Sequence, residues 1–429
     1  MRTIIKNGTL VNPMGESGRL DVAICDGVIE AVAENICPKE GDRVIDAEGK
    51  LVFPGFVDMH CHLRDPGLEY KEDLYSGTRS AVMGGFTSVA CMPNTDPVLD
   101  QPGLIRDLIA RNRELGYAKV YPIASVTKGQ KGKEITEFGM LKESGAAAFS
   151  DDGRPVMSSL VMKNALNYAK NFDALIIAHE EDLELLDDGV MNKGESSMIC
   201  GLKGIPSSAE EVMIIRDIIL ARELGAKVHI AHVSTELGVE LVRFGKSIGA
   251  NVTAETCPQY FSLTDKLLMD YDTNAKINPP LRSEKDVAAI IEGLKDGTLD
   301  AIVTDHAPHH VDDKAVEFGL AMNGMSGFET ALPLIQKNLV EAGHLSWDDV
   351  VTAMSVKPAE LLKAEAGVVK EGASADVVVY DPAYTWVVTP QRLYTKGKNT
   401  PLMGWELQGR VAYAFTDGKL NVEEYEVAR

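Results

Sequence analysis

The chain has 429 residues, 45% apolar and 25% charged, with a formal net charge of −21. That length suits one large domain plus a smaller one, and no stretch approaches the roughly 18 uninterrupted apolar residues that a membrane helix needs. The acidic surplus argues against broad binding to nucleic acid or to anionic membranes.

From the N-terminus, MRTIIKNGTLVN lacks the apolar core and small-residue cleavage site of a signal peptide, so residence in the cytoplasm is expected. Cysteines at 25, 37, 61, 91, 200 and 257 form neither a CxxC pair nor a regular framework. They read as reduced, mostly buried thiols. Residues 3–52 alternate short strand-like runs, with Asn7-Gly8, Asp26-Gly27 and Glu48-Gly49 read as hairpin turns between them. The same texture returns in SADVVVYDP, TWVVT and GRVAYAFTDGKL. Chain termini often lie together, so residues 1–53 and 365–429 are expected to build one small composite β-sandwich domain.

Between them, residues 54–364 alternate apolar strand-like runs with helical patterns, the signature of parallel strands and crossover helices. The strands are read at 55–62, 87–93, 119–126, 146–152, 174–181, 227–234, 251–258 and 300–308, with helices such as 101–115, 158–171, 206–224 and 283–296. Strands buried on both faces read as near-continuous apolar runs, and these do. Eight such units in about 310 residues predict an α/β fold of the (β/α)8 TIM-like barrel type. An open doubly wound sheet would want a glycine-rich turn after its first strand, and HCHLRDPG is not GxGxxG.

The scarce metal-ligand residues fall at the C-terminal ends of these strands, where barrel enzymes carry their chemistry. His60 and His62 close the first, Asp151 and Asp152 the fourth, His179 the fifth, His232 the sixth and Asp305 the eighth. Any one histidine is more readily a hydrogen-bonded core or loop residue; a set converging on one rim reads as a metal site. In a strand, residues i and i+2 point the same way, so His60 and His62 project together into the barrel mouth. Imidazole and carboxylate suit Zn²⁺ and similar ions, and a bound metal lowers the pKa of its water to roughly 7, making hydroxide available as a nucleophile. Arg64, two residues further on, presents a fork of donors that matches a carboxylate, and Asn94 in CMPNT can add an amide donor. The alternative for Arg64 is a surface ion pair with Asp65; for Asn94, a turn role beside Pro93.

HxH after the first strand, single histidines after the fifth and sixth, and Asp after the eighth resemble the metal-dependent amidohydrolase superfamily. More narrowly, GFVDMHCHLRDPG, GGFTSVACMPNT, NPPLR and TDHAPH resemble the dihydroorotase family of the bacterial long-chain type, over nearly the whole chain. The resemblance implies His60 and His62 on one metal, His179 and His232 on a second, and Asp305 binding the first metal and shuttling the proton. Many relatives bridge two metals with a carbamylated lysine on strand four. FSDDG has no lysine; the resemblance to the bacterial dihydroorotases implies an aspartate in that place, and spacing to His179 favours Asp152 over Asp151. Zinc is the default ion, one or two per chain. Arg64, Asn94, Asn278 and His309 would hold the substrate's carboxylate, with backbone contacts near Asn323 and Gly324. His62 faces both metal and substrate.

The resemblance implies reversible cyclisation of N-carbamoyl-L-aspartate to L-dihydroorotate in pyrimidine (UMP) biosynthesis. Asp305 would act as general base and then acid. The glycine-bearing segment from His310 to Met325 suits a lid, with a plain excursion as the alternative. Three departures from the family stand out: NGMSG where an FGIVG-like run is usual, Glu180 where cysteine is common, and Gln259 where histidine often sits. The rivals are another cyclic-amide hydrolase (dihydropyrimidinase or allantoinase) and a catalytically silent barrel serving as scaffold for aspartate transcarbamoylase. The former typically uses the strand-four lysine; the latter is expected to have lost ligands. A homodimer is the default assembly for a soluble enzyme. No feature of the sequence points to stable association with a transcarbamoylase.

Overall fold

The computed structural model describes residues 2–428. Eight strands pair in parallel in chain order: β1 (Phe56–Cys61), β2 (Phe86–Cys91), β3 (Lys119–Ala124), β4 (Ala148–Phe149), β5 (Ile176–Ala178), β6 (Val228–Ile230), β7 (Val252–Thr256) and β8 (Ala301–Ile302). The ring closes where β1 meets the segment after β8: Asp305 N–H donates to His60 O at 3.0 Å, and His62 N–H donates to His306 O at 2.8 Å. Asp58 on β1 adds a buried carboxylate that accepts from Thr304 N–H at 3.1 Å. This is the expected (β/α)8 architecture, and the residues that complete the closure are the site candidates themselves.

The crossover helices lie close to where periodicity puts them, at Pro102–Leu115, Ser159–Ala169, Ser208–Leu224 and Glu284–Lys295. Helix Ser208–Leu224 buries Met213, Ile214, Asp217, Ile218 and Ala221, the i, i+3/i+4 stripe that holds a helix on a sheet. The paired strands are shorter than the apolar runs suggest. In AAAFSDD only Ala148 and Phe149 join a ladder, because the last residues of each run leave it to form the rim.

Two sheets from both chain ends flank the barrel. One contains Thr3–Lys6, Asp21–Cys25, Val28–Ala33 and Arg43–Asp46; the other joins Thr9–Leu10, Gly18–Arg19 and Leu51–Pro54 to Val377–Val387, Glu406–Thr416, Lys419–Glu423 and Glu426–Val427. Their shared core mixes Ile5, Val22, Ile24, Ile45 and Val52 with Val377, Val379 and Phe415, as a composite sandwich requires. One of the three expected hairpins forms: Asp26-Gly27, both at positive φ, link antiparallel Asp21–Cys25 and Val28–Ala33. Asn7-Gly8 and Glu48-Gly49 instead carry the chain from one sheet to the other. A turn dipeptide sets a local reversal, but whether the flanking strands pair depends on which sheet has room for each.

Candidate active site

Twelve candidate residues converge on one mouth. All of them except His60 line a cavity of about 550 Å³ at the C-terminal end of the barrel, within the size range of small-molecule sites. His60 lies just beneath, fully buried. Asp152 is at the centre. Its carboxylate is 3.3 Å from His60 Nε2, 3.5 Å from His62 Nε2, 3.4 Å from His179 Nδ1 and 3.4 Å from His232 Nε2. Asp305 Oδ1 lies 3.2 Å from His62 Nε2 and 3.6 Å from His60 Nε2. Asp151 turns away and accepts from Thr127 N–H at 3.0 Å and from the Thr127 hydroxyl.

The chain reaches this arrangement by leaving strand geometry. Arg64, His232 and Asp305 have φ of 59°, 34° and 46°, left-handed values uncommon outside glycine. Arg64 thus faces the cavity through a turn, and the i, i+2 alternation expected to aim it ends at His62. Gly67 (φ 89°) shows why that turn needs glycine: an added Cβ would sit 1.7 Å from the Asp96 carbonyl. The close approach holds the Arg64 loop against the loop that carries Asn94.

The donor atoms of this cluster suit a cation. His60 Nε2 and Asp152 Oδ1 are buried, face each other and have no hydrogen-bond partner. His60 Nδ1 is bound to Glu255 Oε1 at 2.6 Å and His62 Nδ1 to Asn94 Oδ1 at 2.9 Å. Each contact with an acceptor oxygen puts the proton on Nδ1 and turns the Nε2 lone pair inward, as an outer partner does for a ligating histidine. Two trios could hold an ion: His60, His62 and Asp305, and His60, Asp152 and His232. Donor atoms about 2.0–2.1 Å from one tetrahedral ion lie roughly 3.3 Å apart, close to the separations around Asp305 and Asp152. His179 belongs to neither trio; its Nδ1 is 2.8 Å from His232 Nε2, closer than two ligands of one tetrahedral ion sit, so holding both on one such ion would require the two rings to part. The donor set fits a divalent metal, most closely at the His60–His62–Asp305 corner.

The electrostatics agree with a cation trap. Burial opposes the charge on His60, yet Asp152 and Glu255 hold its imidazolium well above the ordinary histidine range. Burial likewise opposes ionisation of Asp152, and the surrounding imidazoles hold it well below the carboxylate range. Glu255 is brought to about 2: burial would raise it, but His60 and His229 outweigh burial. Arg64 is lowered to about 10 by burial, against Asp305 and Asp152, and so stays charged at neutral pH. Its Nε donates to Pro308 O at 3.2 Å and its Nη2 lies 3.3 Å from His309 Nε2.

Asn323 and Gly324, from which backbone contacts to substrate are expected, both line the cavity wall. There, Gly324 N–H donates to Lys276 O at 3.0 Å, and Asn323 O lies 2.8 Å from His309 Nε2. Glu180 is buried with both carboxyl oxygens unpartnered, and Gln259 donates to Thr304 O at 3.3 Å. Glu255, Glu181 and Lys276 were not anticipated. A glutamate inside the apolar strand NVTAETCP was the available signal for Glu255, since a buried charge needs a buried partner.

A family model described as Dihydro-orotase-like matches residues 49–237. The chain is 53% identical to a protein named Dihydroorotase from Acetivibrio thermocellus, over 98% of this chain and 99% of that one. It is 52% identical to another of the same name from Ruminiclostridium cellulolyticum, over 97% and 98%. Among solved structures, L-hydantoinase (dihydropyrimidinase) from Arthrobacter aurescens superposes with a TM-score of 0.89 at 26% identity, covering 100% of this chain and 97% of that one. A dihydropyrimidinase from Brevibacillus agri gives 0.85 at 23% identity, covering 100% and 96%.

Proposed function

This chain belongs to the dihydroorotase family, and we propose that it interconverts L-dihydroorotate and N-carbamoyl-L-aspartate, a step of pyrimidine synthesis, with the residues around Asp152. The observation that carries this reading is one cavity holding a buried His/Asp cluster beside the Arg64–Asn94–His309 group. His60, His62 and Asp305 would hold one divalent ion, and Asp152, His179 and His232 a second; zinc is the expected occupant. When bound, such an ion lowers the pKa of a water ligand toward about 7 and polarises a carbonyl oxygen.

The chain's own groups do the rest. Arg64, Asn94 and His309 bind the substrate's carboxylate, and Asn278 contributes from the same cavity. Asp305 is ionised, because His62, His60 and His232 together outweigh the burial that would protonate it. In the hydrolytic direction it accepts a proton from the attacking water as oxygen bonds to the ring amide carbon. It then gives that proton to the ring nitrogen as the C–N bond breaks. In cyclisation Asp305 takes the proton from the carbamoyl nitrogen as that nitrogen bonds to the carboxyl carbon, then gives it to the departing oxygen, which leaves as water when the C–O bond breaks.

The test is turnover of L-dihydroorotate beside hydantoin and dihydrouracil, with metal content per chain. Preference for dihydroorotate by at least about 100-fold is expected, since analogues lacking the carboxylate leave Arg64 unpaired. Equal turnover of the three would defeat the assignment. A cytoplasmic homodimer is the form we propose, in keeping with six cysteines that form no disulfide; sedimentation reports the assembly. No helix among the described residues is long and apolar enough to cross a membrane.

A further inference from the structure

Lys71 is outside every role assigned above, yet it is almost fully buried at the edge of the cavity. Its ammonium reaches two groups: His309 Nδ1 at 3.3 Å and Asp313 Oδ2 at 3.2 Å. An ammonium carries donors only, so the contact with Nδ1 needs a lone pair there and puts the ring proton on Nε2. Across the ring, Nε2 lies 2.8 Å from the carbonyl oxygen of Asn323, an acceptor that needs that proton. These two contacts agree on one tautomer; Arg64 Nη2, also a donor, lies 3.3 Å from Nε2 and opposes it, but the 2.8 Å contact with the Asn323 oxygen is the shorter of the two at that nitrogen. The opposite tautomer would set an N–H against the ammonium and a lone pair against a carbonyl oxygen. A doubly protonated ring is opposed by burial and by the Arg64, Lys71 and Lys314 cations around it.

The same contacts reach the segment beyond His309. Asp313 lies in the short helix Val311–Lys314, and its backbone oxygen accepts from Met322 N–H at 3.1 Å. Asn323 is at the far end of that segment. Lys71 and the His309 ring therefore touch both of its ends.

We propose that Lys71 is a positioning residue for the substrate carboxylate: it fixes His309 as the Nε2–H tautomer and ties that ring to the segment 310–323 through Asp313. The inference rests on the dihydroorotase reading for the identity of the carboxylate. Without substrate, His309 donates Nε2–H to Asn323 O. When a carboxylate enters beside Arg64, the same N–H turns to it and the Asn323 carbonyl is released. No bond is made or broken in this exchange; one hydrogen bond replaces another, so its effect is on binding more than on chemistry.

The experiment reads the ring directly. In wild-type holoenzyme labelled with ¹⁵N-histidine, His309, assigned by the signal lost in His309→Gln, should show a protonated Nε2 and an unprotonated Nδ1 near neutral pH. In Lys71→Met, which keeps the aliphatic stem, the ring should become a mixture of tautomers. KM for L-dihydroorotate should rise roughly 10-fold, with kcat within about 3-fold and metal content unchanged. Lys71→Arg keeps donors at the same place and should retain the wild-type tautomer. A wild-type His309 protonated on Nδ1 overturns the proposal without any variant having to fold. So does a Lys71→Met enzyme with wild-type KM. If the wild-type enzyme fails to turn over dihydroorotate while the ring is Nε2–H, the reading of the substrate has failed and the tautomer assignment stands.

Discussion

Asp152 carries more of the site than any other residue, because one carboxylate faces four imidazoles at 3.3–3.5 Å. Replacing it with alanine leaves those rings facing one another without the anion that orders them. Asp152→Ala is expected to lose bound metal and to lower turnover of dihydroorotate by more than about 100-fold; metal analysis and assay on one preparation check this, and full retention of both would remove Asp152 from the proposed metal ligands. Glu255 acts one step further out, with Oε1 2.6 Å from His60 Nδ1 and Oε2 3.0 Å from His229 Nε2. Glu255→Gln keeps the shape but removes the charge. Metal affinity should fall ~10–100-fold with the fold intact, seen by competition with a chelator. The two residues differ in how readable they were. Asp152 came from a spacing inside a recognisable rim motif. Glu255 is 195 positions from His60, and no local pattern connects them.

Among the elements, the helix Phe328–Ile335 shows how the barrel is pinned to the C-terminal region. Glu329 on this helix accepts through Oε1 from Ser80 Oγ at 2.9 Å, Tyr394 N–H at 2.7 Å and Thr395 N–H at 3.1 Å, while Oε2 has no partner. Burial raises this carboxyl to about 7, against those donors. A folded-state value above the ordinary 4.5 means the native protein holds the proton more tightly than the unfolded chain does. The resulting stability is complete below about pH 4.5 and is lost as pH rises through 7. At one pKa unit per 1.36 kcal/mol the effect is on the order of 1–3 kcal/mol. Glu329→Gln cannot ionise and puts an amide N–H where the proton would be. Its melting temperature relative to wild type should therefore rise by about 1–4 °C between pH 5 and pH 8; a difference that stays constant with pH would contradict this. Elements of this kind were legible in outline, since the helices at 101–115 and 283–296 fall within a residue or so of their expected limits. The strands overran, because a run such as AAAFSDD reads as one apolar strand while the paired strand ends at Phe149.

At the scale of the whole molecule, the two ends of the chain and the barrel share one apolar seam. Tyr380 and Phe53 of the sandwich have ring centroids 6.2 Å apart, Phe53 and Phe56 5.3 Å, Phe56 and Phe86 6.2 Å, and Phe86 and Phe328 5.6 Å. Such aromatic pairs contribute roughly 0.5–1.5 kcal/mol each beyond the area they bury. The strand Leu51–Pro54, which leads directly into β1, pairs with Val377–Val387 and so with Glu406–Thr416 beyond it. Deleting residues 406–428 should therefore abolish soluble, cooperatively folded protein, read by yield and by circular dichroism on melting. A truncated chain that melts like wild type would show the barrel to be independent of the sandwich. What the sequence determined alone was the barrel and the inventory of its rim: strand and helix periods are local, and motifs such as HxH carry their geometry within three residues. Only the tertiary structure decided that Arg64 arrives through a left-handed turn, that Asn7-Gly8 crosses between sheets, and that Glu255 and Lys71 orient the histidines. Each of these depends on a partner far away in the chain, and what orients a side chain there is the packing and hydrogen bonding of residues that meet only once the barrel has closed.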